Sequence, residues 1–302
     1  MASGEHIDLA VAWDWEFDRE FLALLARACS SRELVFRDVG RDDAAGVAAR
    51  VRSGRIEIAA FLDRAAPDEE PFLSLAGAVA GSGARLLNHP RLVQRAVDKA
   101  TMHTEFLSHA IDVPYTIIIS PYEQQAEVEL SLSALALLGR PFIIKPAITT
   151  GGGTGVILGA ETLKDVIDSR QHHRRDRYLL QEKIVPAAMD GRRAWFRVFS
   201  VGNRVIPCWW DDLTHRYAPV TGEESAALGL GRLREITQEI AALCGLDFFS
   251  TEIAVTAGGR FVTIDYVNEI CDMRLQSLHL DGVPDDVARD IAGSLLDITP
   301  RV

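Results

Sequence analysis

Residues 250–270 read STEIAVTAGGRFVTIDYVNEI, two alternating apolar runs around a Gly-Gly pair. Alternation with a period of two marks strands, and Gly258-Gly259 is preferred chemistry for a two-residue hairpin turn. A turn there pairs Ala257 with Arg260, and counting outward sets Glu252 directly opposite Asp265. Two carboxylates facing each other across a hairpin repel, which a pairing meant only for stability avoids. A hard divalent cation removes the cost, because Mg2+ takes oxygen ligands and is held by one or two carboxylates together with substrate phosphates. The plainer reading is a solvent-exposed acidic face, the usual fate of charged residues. Asn268 would add an amide oxygen, but simple alternation puts it on the face opposite Asp265, so it joins only if the strand bulges or ends there. Glu269 and Asp272 are rival acids nearby.

A second stretch, FIIKPAITTGGGTGVIL at 142–158, carries three consecutive glycines between apolar runs. A phosphate-cradling P-loop puts its Lys after the glycines, where it opens a helix. Here Lys145 comes first, at the end of a run that reads as a strand. If both flanking runs are strands, the glycines join antiparallel neighbours, and their backbone N–H groups can approach anionic oxygens closely. Taken alone, the stretch is most cheaply read as a mobile hairpin.

Between these motifs, YLLQEKIV (178–185) is a strand that leaves the core at Gln181-Glu182-Lys183, where backbone groups can meet an adenine edge. In AWFRVFSVG (194–202), alternation sets Arg197 on the face of Trp195 and Phe199, where an Arg is rarely found unless paired. Its planar fork suits a phosphate or a carboxylate, so a structural salt bridge to one of the acids is an equal alternative.

The chain has 302 residues, room for two domains or one with a large appendage, and 48% of it is hydrophobic, enough for a sizeable core. With 32 Lys+Arg against 43 Asp+Glu the net charge is -11, the wrong sign for following a phosphate backbone, so nucleic acid is not an expected partner. The opening MASGEHIDLAVAWDWEFD has no basic leader and meets Asp14 before its apolar run could serve as a signal-peptide core. No later run approaches the roughly 20 apolar residues of a membrane span. Cys29, Cys208, Cys244 and Cys271 lack any C-x-x-C pairing, which suggests neither a zinc site nor a disulfide framework. The expectation is a soluble, reduced, cytoplasmic protein with no membrane partner; a homodimer is a compatible assembly.

Toward the N-terminus, HIDLAVAW, RIEIAAFLD and ARLLN read as strands, with helices FDREFLALLARACSS and EEPFLSLAGAVAGSG among them. Such alternation indicates a parallel, helix-covered sheet that ends near Asn88-His89-Pro90. RLVQRAVDKATMHTEFLSHA reads as continuous helix, stopping before Pro114. Beyond residue 141 the chain becomes strand-rich, with helices at TLKDVIDSRQ, REITQEIAALCG and PDDVARDIAGSLLDI. HHRRDR at 172–177 reads as a solvated loop rather than a binding patch.

In order, the chain presents Asn88, Asp98-Lys99 on a helix, IDVP, IIKPAITTGGGTGV, LLQEKI, an Arg on a strand, and TEI followed by IDYVN. This series resembles the ATP-grasp superfamily, the carboxylate-amine ligases that include D-alanine-D-alanine ligase, glutathione synthetase and the ribosomal-protein glutamate ligases. The resemblance covers roughly residues 85–275. It implies an α/β fold with an N-terminal pre-ATP-grasp domain over 1–88 and an ATP-grasp domain over 89–302, divided into a lid subdomain at about 113–185 and a catalytic subdomain at about 186–302.

By position, the family's two ATP-binding lysines fall on Lys99 and Lys145. Its mobile phosphate-covering loop falls on Thr149 to Thr154, with Thr150, Gly151, Gly152 and Gly153 as nucleotide contacts. The adenine hinge falls on Glu182, Lys183 and Ile184, and Asp190 is a candidate for the ribose. Arg197 and Arg216 would join Lys145 on the transferred phosphate, and Glu252, Asp265 and Asn268 would hold Mg2+ or Mn2+. The family usually spaces its last acid and Asn two apart; here Asp265 and Asn268 are three apart. The implied activity is ATP-dependent ligation of a carboxylate to an amine through an acylphosphate, on small molecules, amino acids or a peptide. A small-molecule phosphotransferase and a non-catalytic nucleotide-binding module are the alternatives. Trp13, Asp14 and Arg274 are candidates for facing the substrate.

Overall fold

The computed structural model describes residues 4–65, 69–149 and 153–300. The first sheet is made of β1 (Glu5–Trp13), β2 (Phe36–Val39), β3 (Ile56–Arg64) and β4 (Arg85–Leu87), all parallel in the order β2-β1-β3-β4. β1 is apolar almost without interruption because helices cover both faces, the usual condition of a parallel sheet. Ala10 and Ala12 pack with Val47 and Phe72 from the helices Arg41–Arg52 and Glu70–Ser82. Leu9 and Val11 meet Phe21 and Leu25 of the helix Arg19–Ser31, and beyond them Ile291 and Leu295 of the helix Asp285–Asp297.

The stretch expected as one helix after Asn88 is two, Pro90–Ala96 and Lys99–Ser108. Asp98 breaks it. Its carboxylate accepts from the backbone N–H groups of Ala100 and Thr101, so it caps a new helix, and Lys99 becomes that helix's first residue. Asn88 itself is structural: its amide exchanges two hydrogen bonds with the backbone of Phe248.

The second sheet holds β5 (Thr116–Ile119), β6 (Phe142–Pro146), β7 (Ile157–Ala160) and β8 (Tyr178–Glu182), antiparallel in the order β5-β8-β6-β7. The glycine-rich stretch therefore does join antiparallel neighbours. A small hairpin, β9 (Ala188–Met189) and β10 (Arg192–Arg193), leads into the third sheet. That sheet contains β11 (Trp195–Val201), β12 (Arg204–Trp210), β13 (Tyr217–Pro219), β14 (Phe248–Val255) and β15 (Phe261–Asn268), antiparallel in the order β13-β12-β11-β14-β15.

Phe196, Val198 and Ile253 on one face of the third sheet pack on the helix Gly231–Cys244, while Phe199 and Phe248 on the other join the helix Asp285–Asp297. The four cysteines are buried and free. Among the described residues no helix is long and apolar enough to cross a membrane.

Candidate functional site

Glu252 does pair with Asp265, though not by the route the turn suggested. The backbone N–H of Thr256 donates to the Arg260 carbonyl at 2.9 Å, so the loop encloses three residues, Ala257 to Gly259, with Gly259 at a φ of 77°. This is the three-residue hairpin whose last position is left-handed. Ala257 is thus not paired with Arg260, and Val255, Ala254 and Ile253 face Phe261, Val262 and Thr263, one step from the expected register. A bulge then restores it: between Thr263 and Asp265 the strand carries one extra residue, Ile264. A second shift between Asp265 and Asn268 sets Asn268 opposite Ser250. Ser250 and Glu252 share a face of β14, so the bulge returns Asn268 to the side of Asp265, against simple alternation.

The extra residue has a use. Lys145, near the end of β6 and only 9% exposed, donates from its ammonium to the Ile264 carbonyl at 3.1 Å. The second sheet thereby delivers a cation to the edge of the third beside Asp265. Lys99 Nζ lies 3.8 Å from Asp265 Oδ1. Burial disfavours the charge on both partners. For Lys145 burial prevails over Asp265 and Glu252 and lowers the ammonium pKa. For Asp265 burial is outweighed by Lys99, Lys145 and Arg197, which hold the carboxyl below its ordinary value.

Arg197 lies directly across from Glu252 in the β11–β14 ladder and pairs with its Oε1. The salt-bridge alternative is therefore what the structure contains. Trp195, two residues earlier on the same face, donates its indole N–H to Glu252 Oε2 at 3.0 Å. One strand thus holds both oxygens of this carboxylate. The Arg197 guanidinium stands 4.4 Å over the Trp210 ring, and its buried Nε has no partner among the described residues. Lys99, Lys145 and Arg197 are set around Glu252 and Asp265, and Glu269, one of the rival acids, lies close to Lys99 and Asp265 with its carboxyl raised above its ordinary value by burial.

Beneath Asp265, a buried network joins four elements. His103 Nδ1 lies 2.6 Å from the Tyr266 hydroxyl, and Gln181 donates to that hydroxyl at 2.8 Å and to Thr116 Oγ1 at 3.1 Å. Burial pulls the His103 pKa down to about 4, so the ring is neutral at pH 7. The network ties the Lys99 helix and two strands of the second sheet to the residue next to Asp265. Replacing Tyr266 with Phe leaves His103 and Gln181 short of a partner, a loss of about 1–3 kcal/mol of stability. Urea denaturation of the variant checks this.

The remaining candidates are dispersed. Thr150, Gly151 and Gly152 lie outside the described residues, and Gly153 follows at a φ of 79°. Glu182 closes β8: its N–H donates to the Tyr115 carbonyl at 2.9 Å and its carboxylate accepts from the Tyr115 N–H at 2.8 Å. Lys183 and Ile184 lie just past the strand's end. Asp190, with Gly191, forms the two-residue turn between β9 and β10, both at positive φ, so turn chemistry alone accounts for it. Arg216 is exposed on the turn between β12 and β13.

Of the substrate candidates, Asp14 is bonded to Arg41, and Arg274 is paired with Asp272 and Asp281. Trp13 lies under the Arg19 guanidinium, its indole N–H buried with no partner among the described residues. Sequence reasoning missed Trp195 as a donor, His103 and Tyr266 altogether, and the capping role of Asp98; of these only Asp98, an Asp ahead of a helical run, carried a signal.

Among the described residues no group of three or more His, Cys, Asp or Glu is placed to hold a metal by itself. Glu252, Asp265 and Asn268 instead offer two carboxylates and an amide on one side of a hairpin. That set fits a Mg2+ completed by the phosphates of a ligand, not a resident protein-only cage.

No family model matches the sequence, and no curated protein matches it either. Solved structures do. A RimK domain ATP-grasp protein from Sphaerobacter thermophilus DSM 20745 is 20% identical, with a TM-score of 0.65 over 96% of this chain and 98% of that one. The ATP-grasp ligase PsnB, complexed with a minimal precursor, Mg and ADP, is 14% identical, with a TM-score of 0.65 over 97% and 99% of the two chains. D-alanine-D-alanine ligase from Bacillus anthracis, complexed with ATP, is 13% identical, with a TM-score of 0.65 over 98% and 95%. Each is a likeness of fold spanning nearly the whole of both chains.

Proposed function

Since the chain has the ATP-grasp fold, we propose that it is an ATP- and Mg2+-dependent ligase that joins a carboxylate to an amine and releases ADP and phosphate. The observation that carries this reading is Lys145, a strand-borne ammonium that reaches the bulge carbonyl beside the opposed Glu252 and Asp265. A binding module without turnover has no need of opposed acids set among fixed cations.

In this reading the substrate carboxylate oxygen attacks the γ-phosphorus, the bond to the β–γ bridging oxygen breaks, and ADP departs. The amine then attacks the acyl carbon of the acylphosphate, loses a proton and displaces phosphate. Such phosphoryl transfer depends on positioning and charge neutralisation more than on a general base. Lys99, Lys145 and Arg197 supply the fixed cations. Thr149 to Thr154 cover the phosphates and keep water from the acylphosphate. Glu182, Lys183 and Ile184 present the adenine edge, with Asp190 toward the ribose and Arg216 toward the transferred phosphate. Glu252, Asp265 and Asn268 would hold Mg2+, which when bound offsets charge on the phosphate oxygens.

The division at 1–88, 113–185 and 186–302 belongs to the same reading; it is supported by β1–β4, β5–β8 and β11–β15 falling within those three ranges. The solved relatives that carry ATP, or a precursor with Mg and ADP, support amino acids or a peptide as substrates.

The test is ADP and phosphate release over pools of amino acids, small acids and peptides, with mass spectrometry of the product. Condensed product with free phosphate supports the ligase. A phosphorylated end product makes it a phosphotransferase, and no nucleotide hydrolysis in any pool sinks the enzymatic reading. Trp195→Phe, which removes only the indole donor, is expected to raise the Mg2+ concentration for half-maximal ADP release about tenfold, the usual cost of losing a hydrogen bond behind a metal ligand. Mg2+ titration of both proteins reads this directly.

A further inference from the structure

The segment 172–177, a solvated loop by its sequence, grips the glycine-rich stretch from both sides. Asp176 is buried, 9% exposed, and a single oxygen, Oδ2, accepts three hydrogen bonds: from the N–H of Ile148 at 3.0 Å, the N–H of Thr149 at 3.0 Å and the hydroxyl of Thr149 at 2.8 Å. On the far side of the glycines, Gly155 has a φ of 73° and lies against the same segment. A Cβ there would crowd Pro146 Cγ at 3.0 Å and touch the His173 ring at 3.5 Å, and the left-handed φ is the conformation that favours glycine. Arg177 extends the grip. Its carbonyl accepts from the Ala147 N–H at 2.8 Å, and its guanidinium pairs with Asp98, the cap of the Lys99 helix. Ala147 closes the circuit, since its carbonyl accepts from the Lys99 N–H at 2.9 Å.

We infer that Asp176 is a positioning residue that fixes the entry to the glycine-rich stretch and sets it in one frame with Lys145 and Lys99 before a nucleotide arrives. The inference rests on the reading of those lysines as nucleotide contacts. The physical reason is that chain already ordered need not be ordered on binding, so holding residues 147–149 in place strengthens affinity without adding a contact. Among the described residues every donor to Asp176 Oδ2 comes from Ile148 or Thr149, at the entry to the glycine-rich stretch.

Hydrogen exchange over 142–158, together with calorimetric titration of a non-hydrolysable ATP analogue with Mg2+, tests this on the full chain. In the unaltered protein the Ile148 and Thr149 amides should be protected without nucleotide. Asp176→Ala should lose that protection locally and bind the analogue about 10- to 100-fold more weakly. Asp176→Asn keeps an acceptor oxygen and should retain most of both. If Asp176→Ala does not fold, Thr149→Val, which deletes one of the three bonds, should show a partial loss of protection and a several-fold loss of affinity. Unchanged protection and affinity in the Ala variant, or an Asn variant as impaired as Ala, overturns the inference. An unaltered protein that binds no nucleotide overturns the functional reading instead, and the exchange comparison then still decides whether Asp176 holds the turn.

Discussion

Asp265→Asn is expected to lower ATP turnover about a thousandfold, with Lys145→Ala losing as much, while both proteins stay folded. The substitution at Asp265 is isosteric and removes one charge. That charge sits 3.8 Å from Lys99 and is a main support for the ammonium of Lys145, whose pKa burial already depresses. Two losses therefore coincide: an oxygen ligand for the cation, and the field that keeps Lys145 protonated. The sign of the second is testable. Without Asp265 the Lys145 pKa falls further, so whatever activity remains should decline at a lower pH on the alkaline side than in the unaltered enzyme. Steady-state ADP release across pH, beside circular dichroism, checks both parts; wild-type rates in either variant would discard the site.

Arg64→Met should destabilise the protein by about 3–5 kcal/mol, because it strands a buried carboxylate. Arg64 closes β3, and Asp18 lies just ahead of the helix Arg19–Ser31; their side chains are each 1% exposed and bound through two hydrogen bonds. The same guanidinium donates to the Cys271 carbonyl at 2.9 Å, beyond β15, and lies over the Phe21 ring. The pair thus fastens the first sheet to the segment that follows the strand bearing Asp265. Removing Asp18 as well should return much of the loss, since an apolar pair of similar volume lacks the desolvation cost. Urea midpoints of Arg64→Met, Asp18→Leu and the double variant measure it; additive losses would show that Asp18 and Arg64 act separately.

The fold was legible in the order of motifs, and the solved structures share it. The site was legible in part, and one success had an unsound route. Glu252 and Asp265 face each other because a three-residue loop shifts the register by one and a bulge at Ile264 shifts it back. Neither change carries a signal that alternation of residue types can register. The same blindness hid the second bulge, which returns Asn268 to the side of Asp265. Asp98 stood in plain view, but a helical pattern runs through it, and only the capping geometry shows that the helix restarts. Trp195, His103 and Tyr266 were unreadable for another reason: a long-range hydrogen bond leaves no trace in the spacing of either partner. Asp176 lay inside a string of charges whose average is solvated, though this one member is buried.

The helix Asp285–Asp297 covers one face of the first sheet and one face of the third at the same time. Synthesis runs from the N-terminus, so Leu9, Val11, Phe21 and Leu25 leave the ribosome long before Ile291 and Leu295 that complete their cover. At about 5–20 residues per second the nascent chain spends on the order of ten seconds or more with that face open. The first sheet is thus made well before the helix that seals it, and one of its faces waits on residues about 270 positions further along the chain.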